Sequence, residues 1–197
     1  MVKIAVFVSG GGTNLQALID AEQNGIIKSG KICLVVSNKE GAYALERAKN
    51  NNIKTVTIVK KQFSDSLSFE NEIVKVLQEN QIDLIVLAGF MCILSKNFTD
   101  RYKDRILNVH PSLIPSFCGE GYYGLKVHEA ALNYGVKVTG ATVHFVNEIP
   151  DGGKIIKQKA VEIQEGDTPE ILQKRVMQEA EWIILPLAVE EVSKSLL

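Results

Sequence analysis

The stretch KIAVFVSGGGTN, residues 3–14, carries the reading of the fold. Its first seven residues, KIAVFVS, form a short, mostly apolar run rich in β-branched side chains, which suits a strand buried on both faces. Three glycines end the run, and a helical stretch follows from about Asn14 to Asn24. A buried strand that turns at once into a helix opens an α/β unit with a parallel sheet. The same alternation continues outward. KICLVVS, 31–37, is a second strand; residues 42–51 have helical composition; TVTIV, 55–59, is a third strand. Residues 69–80 place Phe69, Ile73, Val76 and Leu77 on one helix face. IDLIVLAGF, 82–90, is the strongest buried strand, a short helix falls near 95–102, and ILNVH, 106–110, closes the series.

The pattern then changes. VKVTGATVHFV, 136–146, and KIIKQKAVEI, 154–163, alternate in polarity with Asp151-Gly152-Gly153 between them, as expected of an antiparallel hairpin at the sheet edge. A last helix starts at Thr168-Pro169-Glu170, with a capping threonine, a proline at the first position and an acid at the positive end. Pro186 is expected to bend or break it. The expected fold is α/β: a Rossmann-like, mostly parallel sheet with helices on both faces, then an antiparallel hairpin and a long helix, in one domain over 1–197.

Bulk properties narrow the function. The chain has 197 residues, 46% of them hydrophobic, enough for one sizeable core. Its formal net charge of −1 supplies no basic field for nucleic acid or an anionic membrane. No apolar run approaches the roughly 20 residues of a membrane span, and the amino-terminal run lacks the features of a signal peptide. Cys33, Cys92 and Cys118 are odd in number and widely spaced, and His110, His128 and His144 lack helical ligand spacing. The expectations are a cytoplasmic, reducing location, no metal, and small-molecule partners without nucleic acid or membrane.

In open parallel sheets ligands bind beyond the carboxyl ends of the strands. Here those ends are Ser9–Asn14, Ala88–Leu94 and Asn108–Pro115. Ser9-Gly10-Gly11-Gly12-Thr13-Asn14 joins strand to helix, so backbone N–H groups and a helix dipole can meet a phosphate. A dinucleotide fingerprint is weakened because Leu15 stands at the third glycine and Ser37-Asn38-Lys39 offers no acid for a ribose. A nucleoside triphosphate loop is excluded by the missing Gly-Lys-Ser/Thr ending. A smaller phosphorylated ligand, or a turn with no ligand, remains. At Asn108-Val109-His110-Pro111, period two puts an amide and an imidazole on one side of a strand end. That pair suits a reaction that develops negative charge on oxygen, although a satisfied histidine beside a turn-capping asparagine fits the same residues.

With NVHPSLIP, residues 108–115, the chain resembles the phosphoribosylglycinamide formyltransferases, folate-dependent enzymes of purine synthesis. The resemblance runs through VSGGGTNLQALIDA, IDLIVLAGFMCILS, NVHPSLIPSF, VTGATVHFV, the Asp151-Gly152-Gly153 loop and GDTPEILQKRV, nearly the whole chain. It implies formyl transfer from 10-formyltetrahydrofolate, as co-substrate, to the amine of 5'-phosphoribosylglycinamide. It also implies roles. Asn108, His110 and Asp151 match the catalytic trio, with Asp151 raising the histidine pKa. Gly12, Thr13 and Asn14 match the phosphate site, and Gln178 and Glu181 match residues that touch the ribotide. Met91, Cys92, Ile93 and Leu94 match the stretch that receives the folate, together with Asn108; Val146 and Asn147 belong to the loop that closes over the pterin.

Departures from the family pattern are Cys92 and Ser66 where arginines are common, Thr142 for a serine, a longer loop at Ser116–Val127, and one extra residue in the last helix. Lys60 and Lys61 are candidates to replace the missing arginines opposite an acidic folate tail. A formyltetrahydrofolate hydrolase shares the trio, but members of that kind carry an extra regulatory domain. A transferase acting on initiator tRNA carries a nucleic-acid-binding domain. A non-catalytic nucleotide-binding module is the reading from a different class.

Overall fold

The computed structural model describes residues 1–197. Seven strands form one sheet in the order β3-β2-β1-β4-β5-β6-β7. β1 (Val2–Val8), β2 (Gly30–Ser37), β3 (Lys54–Thr57), β4 (Leu84–Leu87) and β5 (Ile106–His110) are parallel. β6 (Val138–Phe145) and β7 (Ile155–Glu162) add an antiparallel hairpin. The strand order reverses at β1, with β2 and β3 to one side and β4 and β5 to the other. A crevice opens at such a reversal, beyond the carboxyl ends of the strands.

The apolar run of β1 is continuous because both of its faces are covered. Ile4, Val6 and Val8 point into the larger core cluster, and Ala5 and Phe7 into the smaller one. The larger core packs under α1 (Thr13–Gln23), α2 (Tyr43–Asn50), α6 (Pro169–Val176) and α7 (Trp182–Ser195), through residues such as Leu15, Leu18, Ala44, Leu172 and Leu185. The smaller packs under α3 (Ser66–Glu79) and α4 (Lys96–Arg101), through Phe69, Ile73, Leu77 and Phe98. Full burial of one such side chain stabilises by about 1.5–3 kcal/mol. Asp65 caps α3, Ser95 caps α4 and Thr168 caps α6, each accepting a backbone N–H from the first turn.

Element bounds follow the sequence pattern except at three places. β4 stops at Leu87, because Gly89 takes a positive φ of 75° and turns the chain out of the sheet. A helix that the hydrophobic pattern does not mark, α5 (Leu125–Tyr134), follows the long loop; Val127, His128 and Ala131 are its buried residues, so no large aliphatic stripe announces it. Gly135, left-handed at φ 84°, closes that helix and is the signal that could have marked it. Pro186 lies inside α7 without breaking it. The irregularity comes a turn earlier, as a π-helical turn over Met177–Glu181. Proline disturbs the carbonyl four residues back, and here that residue is Trp182, where the π turn ends.

Candidate active site

β5 and β6 assemble the centre of the site. Their antiparallel register sets Asn108 opposite His144 and His110 opposite Thr142. The turn after β6 then brings Asp151 back over the strand end. Asp151 holds a left-handed backbone, φ 55°, which aspartate and asparagine tolerate better than most residues. Gly153 must lack a side chain, since a Cβ there would run into the Phe145 carbonyl.

Four polar side chains meet as a result. His110 Nδ1 lies 3.4 Å from Asp151 Oδ2, and His144 Nε2 lies 3.5 Å from Asp151 Oδ1. Asn108 Nδ2 is 3.2 Å from His144 Nε2. Carbonyls fix the remaining ring nitrogens: Phe117 O accepts from His110 Nε2 at 2.8 Å, and Phe145 O from His144 Nδ1 at 2.7 Å. A carbonyl only accepts, so His110 carries hydrogen on Nε2 and His144 on Nδ1. The second nitrogen of each ring therefore faces Asp151 and donates to the carboxylate only when that ring is protonated. The Gly119 N–H donates to Asp151 Oδ2 at 2.9 Å, so the long 116–127 loop helps to hold the carboxylate.

Burial governs the protonation of His110. It lowers the imidazole pKa more than the Asp151 charge and the Phe117 carbonyl raise it, and His144 lowers it further. The Asp151 charge raises the histidine pKa as expected, but the larger effect of desolvation leaves the net value lowered. For Asp151, burial acts to raise the carboxyl pKa; hydrogen bonding with His144, the His110 charge and the Gly119 N–H outweigh it and leave the group below its usual value. The resting pair is thus a carboxylate beside a largely neutral imidazole whose Nδ1 has a place ready for a proton. His128 of α5 lies behind them, fully buried and without a hydrogen-bond partner on either ring nitrogen. Burial first, and then His110, push it down to about 4.

The glycine turn forms the second part. Gly12 is left-handed at φ 71°, and a Cβ on it would lie 2.6 Å from that of Ala44. None of the backbone N–H groups of Gly11, Gly12, Thr13 or Asn14 has an acceptor within the chain. Asn14 Nδ2 donates to Glu181 Oε2 at 2.7 Å. Glu181 is buried, which raises its pKa to about 7, and the Asn14 amide only partly offsets this. Glu181 thus stands against the turn. Gln178 is exposed and its side chain makes no hydrogen bond, while Met177, one residue earlier, takes a weak contact from Thr13 Oγ1 at 3.8 Å. The π turn absorbs one residue between the two ends of the helix, so spacing counted from one end misplaces residues read from the other.

The third part is the irregular segment after β4. Met91 and Ile93 are exposed, while Leu94 is buried in the smaller core. The N–H groups of Cys92, Ile93 and Leu94 have no intrachain acceptor. Ser9 ties this segment to β1: its hydroxyl accepts from Met91 N at 2.7 Å and donates to Asn38 Oδ1 at 2.6 Å. A cleft of 130 Å³ runs between this segment and the 146–151 turn, lined by Cys92, Ile93, Leu94, Asn108, His144, Val146, Asn147 and Asp151 among others. His110 does not line it and lies behind Asp151. A larger cavity of 440 Å³ lies between α1 and α7, with Thr13 and Arg47 among its lining residues. Lys60 and Lys61 are exposed on a short 3-10 turn and line neither space.

The sequence-expected residues therefore fall into a cleft cluster, with His110 behind Asp151, and a glycine-turn cluster, while Gln178, Lys60 and Lys61 lie outside both. Residues not singled out by their roles are Ser9, Arg47, Phe117, Gly119 and His144. For His144 a signal existed, since period two along β6 puts it on the same face as Thr142. No group of three or more His, Cys, Asp or Glu side chains is arranged to hold a metal ion, and no helix is long and apolar enough to cross a membrane.

The sequence profile of the family described as Formyl transferase matches residues 2–189. The phosphoribosylglycinamide formyltransferase of Haemophilus influenzae is 45% identical over 190 residues, covering 96% of this chain and 86% of that protein. The trifunctional purine biosynthetic protein adenosine-3 of Gallus gallus is 45% identical over 192 residues, covering 98% of this chain but only 18% of that longer protein. Among solved structures, glycinamide ribonucleotide transformylase 1 from Symbiobacterium toebii superposes with a TM-score of 0.92 at 38% identity, covering 99% of this chain and 89% of the other.

Proposed function

The chain belongs to the formyl transferase family, and on that premise we propose that it moves a formyl group from 10-formyltetrahydrofolate to the amine of 5'-phosphoribosylglycinamide, in the cytoplasm, as a single domain. The observation that carries this reading is the meeting of Asn108, His144 and Asp151 at a cleft, with His110 behind Asp151 and the glycine turn at the end of β1, two strands from β5.

The folate enters the cleft, where the unpaired N–H groups of Cys92, Ile93 and Leu94 offer donors to the pterin edge. Val146 and Asn147 bound it from the other side. The phosphate of the ribotide sits on Gly12, Thr13 and Asn14, and Glu181 reaches the same ligand. The amine nitrogen attacks the formyl carbon, a new C–N bond forms, and the carbonyl oxygen takes the electron pair. Asn108 supplies an N–H to that oxyanion. The amine gives up a proton past Asp151, and His110 Nδ1 receives it, because the carboxylate lies ready to hold the imidazolium. Collapse of the intermediate breaks the bond to the folate nitrogen, which leaves with a proton returned by the same route. A neutral resting histidine suits the first step and an imidazolium the second.

Purified protein is incubated with 10-formyltetrahydrofolate, with and without the ribotide, and both products are followed. Formylated ribotide only when the acceptor is present supports the reading. Folate deformylation that ignores the acceptor indicates a hydrolase, and binding without turnover indicates a module.

A further inference from the structure

We propose that Arg47 is the positioning residue of the phosphate subsite: it holds the glycine turn in its anion-binding shape through the Gly11 carbonyl, without itself being required to touch the phosphate. This rests on the reading above that Gly12–Asn14 takes the ribotide phosphate. In a trans peptide the carbonyl and the N–H point in opposite directions. Whatever draws back the carbonyl of one residue therefore aims the N–H of the next. The Gly10 carbonyl accepts from Ala44 N at 3.0 Å, which turns the Gly11 N–H away from α2. The Gly11 carbonyl accepts from Arg47 Nε at 2.8 Å, which turns the Gly12 N–H the same way. Neither N–H has an acceptor within the chain. With Gly12 left-handed and Thr13 starting α1, successive N–H groups converge as in an anion-binding nest.

Arg47 is the only partner of the Gly11 carbonyl. Its guanidinium is held in place by Gln16 Oε1 at 3.2 Å and by the Tyr43 ring, 5.0 Å from the centroid. No carboxylate lies within ion-pair distance, so a full positive charge stands beside the turn unneutralised. A hydrogen bond from a charged donor is worth more than a neutral one and is fixed by the planar fork. One half of the turn is thus held by a backbone amide that only a proline would remove, and the other half by a single side chain.

The experiment compares wild type, Arg47→Met and Arg47→Lys in the formyl transfer assay. Three quantities are read: the KM of the ribotide, the inhibition constant of inorganic phosphate against it, and the KM of the same acceptor lacking its phosphate. Arg47→Met is expected to raise the first two together by about tenfold, the size of one lost charge-assisted bond. The dephosphorylated acceptor, the folate KM and kcat should stay within about twofold. Arg47→Lys should recover most of the loss, having kept the charge and one donor. If Arg47→Met weakens both acceptors alike, or neither, Arg47 does not act on the phosphate and the proposal is wrong. If inorganic phosphate fails to compete even in wild type, the phosphate reading of the turn falls first and takes this proposal with it.

Discussion

The glycine turn and the β5–β6 strand end lie in the same crevice and work by opposite means. On the proposed reading the turn recognises through backbone shape: its donors are main-chain N–H groups, Gly12 is seated against Ala44, and the one acid nearby, Glu181, is buried and bonded to Asn14. On the proposed reading the strand end works through charge: burial and each other set the protonation of His110 and Asp151, with Asn108 and His144 beside them. The difference teaches where each is vulnerable. The turn should fail when its shape is altered, and the strand end when a charge is removed at constant shape.

The sharpest break is Asp151→Asn. Asparagine keeps the size and tolerates φ 55°, so only the charge is lost. Turnover should fall by about 10²–10⁴-fold with both substrates still bound, and His110→Ala should fall in the same range. Near-normal kcat in Asp151→Asn would remove the carboxylate from the proton path.

A second effect separates the regions by the sign of their pH dependence. His128, behind the strand end, is held down to about 4 in the folded chain against an ordinary 6.5. As pH falls between those values the unfolded chain takes up a proton that the folded chain refuses, and stability drops by up to about 3 kcal/mol. Glu181, at the turn, is held up to about 7 against 4.5. Its contribution is full below 4.5 and is lost as pH rises through 7, again by up to about 3 kcal/mol. Denaturant midpoints at pH 4.5, 6 and 8 test both. His128→Leu should flatten the acid loss, and Glu181→Gln should be more stable than wild type at pH 8 but not at pH 4.5. Profiles parallel to wild type would show that neither group titrates as its surroundings dictate.

Gly12→Val probes shape without charge. The side chain meets a left-handed φ and Ala44 at 2.6 Å, strain on the order of 1–3 kcal/mol. Ribotide KM should rise by roughly tenfold or more, with folate KM unchanged. Equal damage to both substrates would mean that the turn supports the whole crevice.

The smallest effect concerns the folate tail. Lys60 and Lys61 are exposed and do not line the cleft, so any pull on an acidic tail is worth less than about 1 kcal/mol. The ratio of KM for mono- and triglutamate donors in Lys60→Ala/Lys61→Ala should change by under about fivefold, and the change should vanish in moderate salt. A wild-type ratio at low salt would make the two lysines ordinary surface charges.

Much of this was legible in the chain. Apolar runs announced β1, β2 and β5 almost to the residue, because buried strands of a parallel sheet have little choice of side chain. Thr168 and Pro169 announced the start of α6 for an equally local reason. α5 was not legible, since its buried face is carried by one valine, one histidine and one alanine. The register of the last helix was not legible either: the π turn over Met177–Glu181 leaves Gln178 exposed while Met177 meets Thr13.

Taken alone, the sequence determined the alternation of elements, the strand ends that carry chemistry, and the family, because periodicity and motif order are properties of neighbouring residues. Only the tertiary structure decided the state of the site. It set His144 beside Asn108, 36 positions away, put the Gly11 carbonyl on Arg47, and buried His110 deeply enough to overrule Asp151. Desolvation and hydrogen-bond partners are supplied by distant segments, here the 116–127 loop, α2 and the β6–β7 turn. No local pattern records how closely those segments pack.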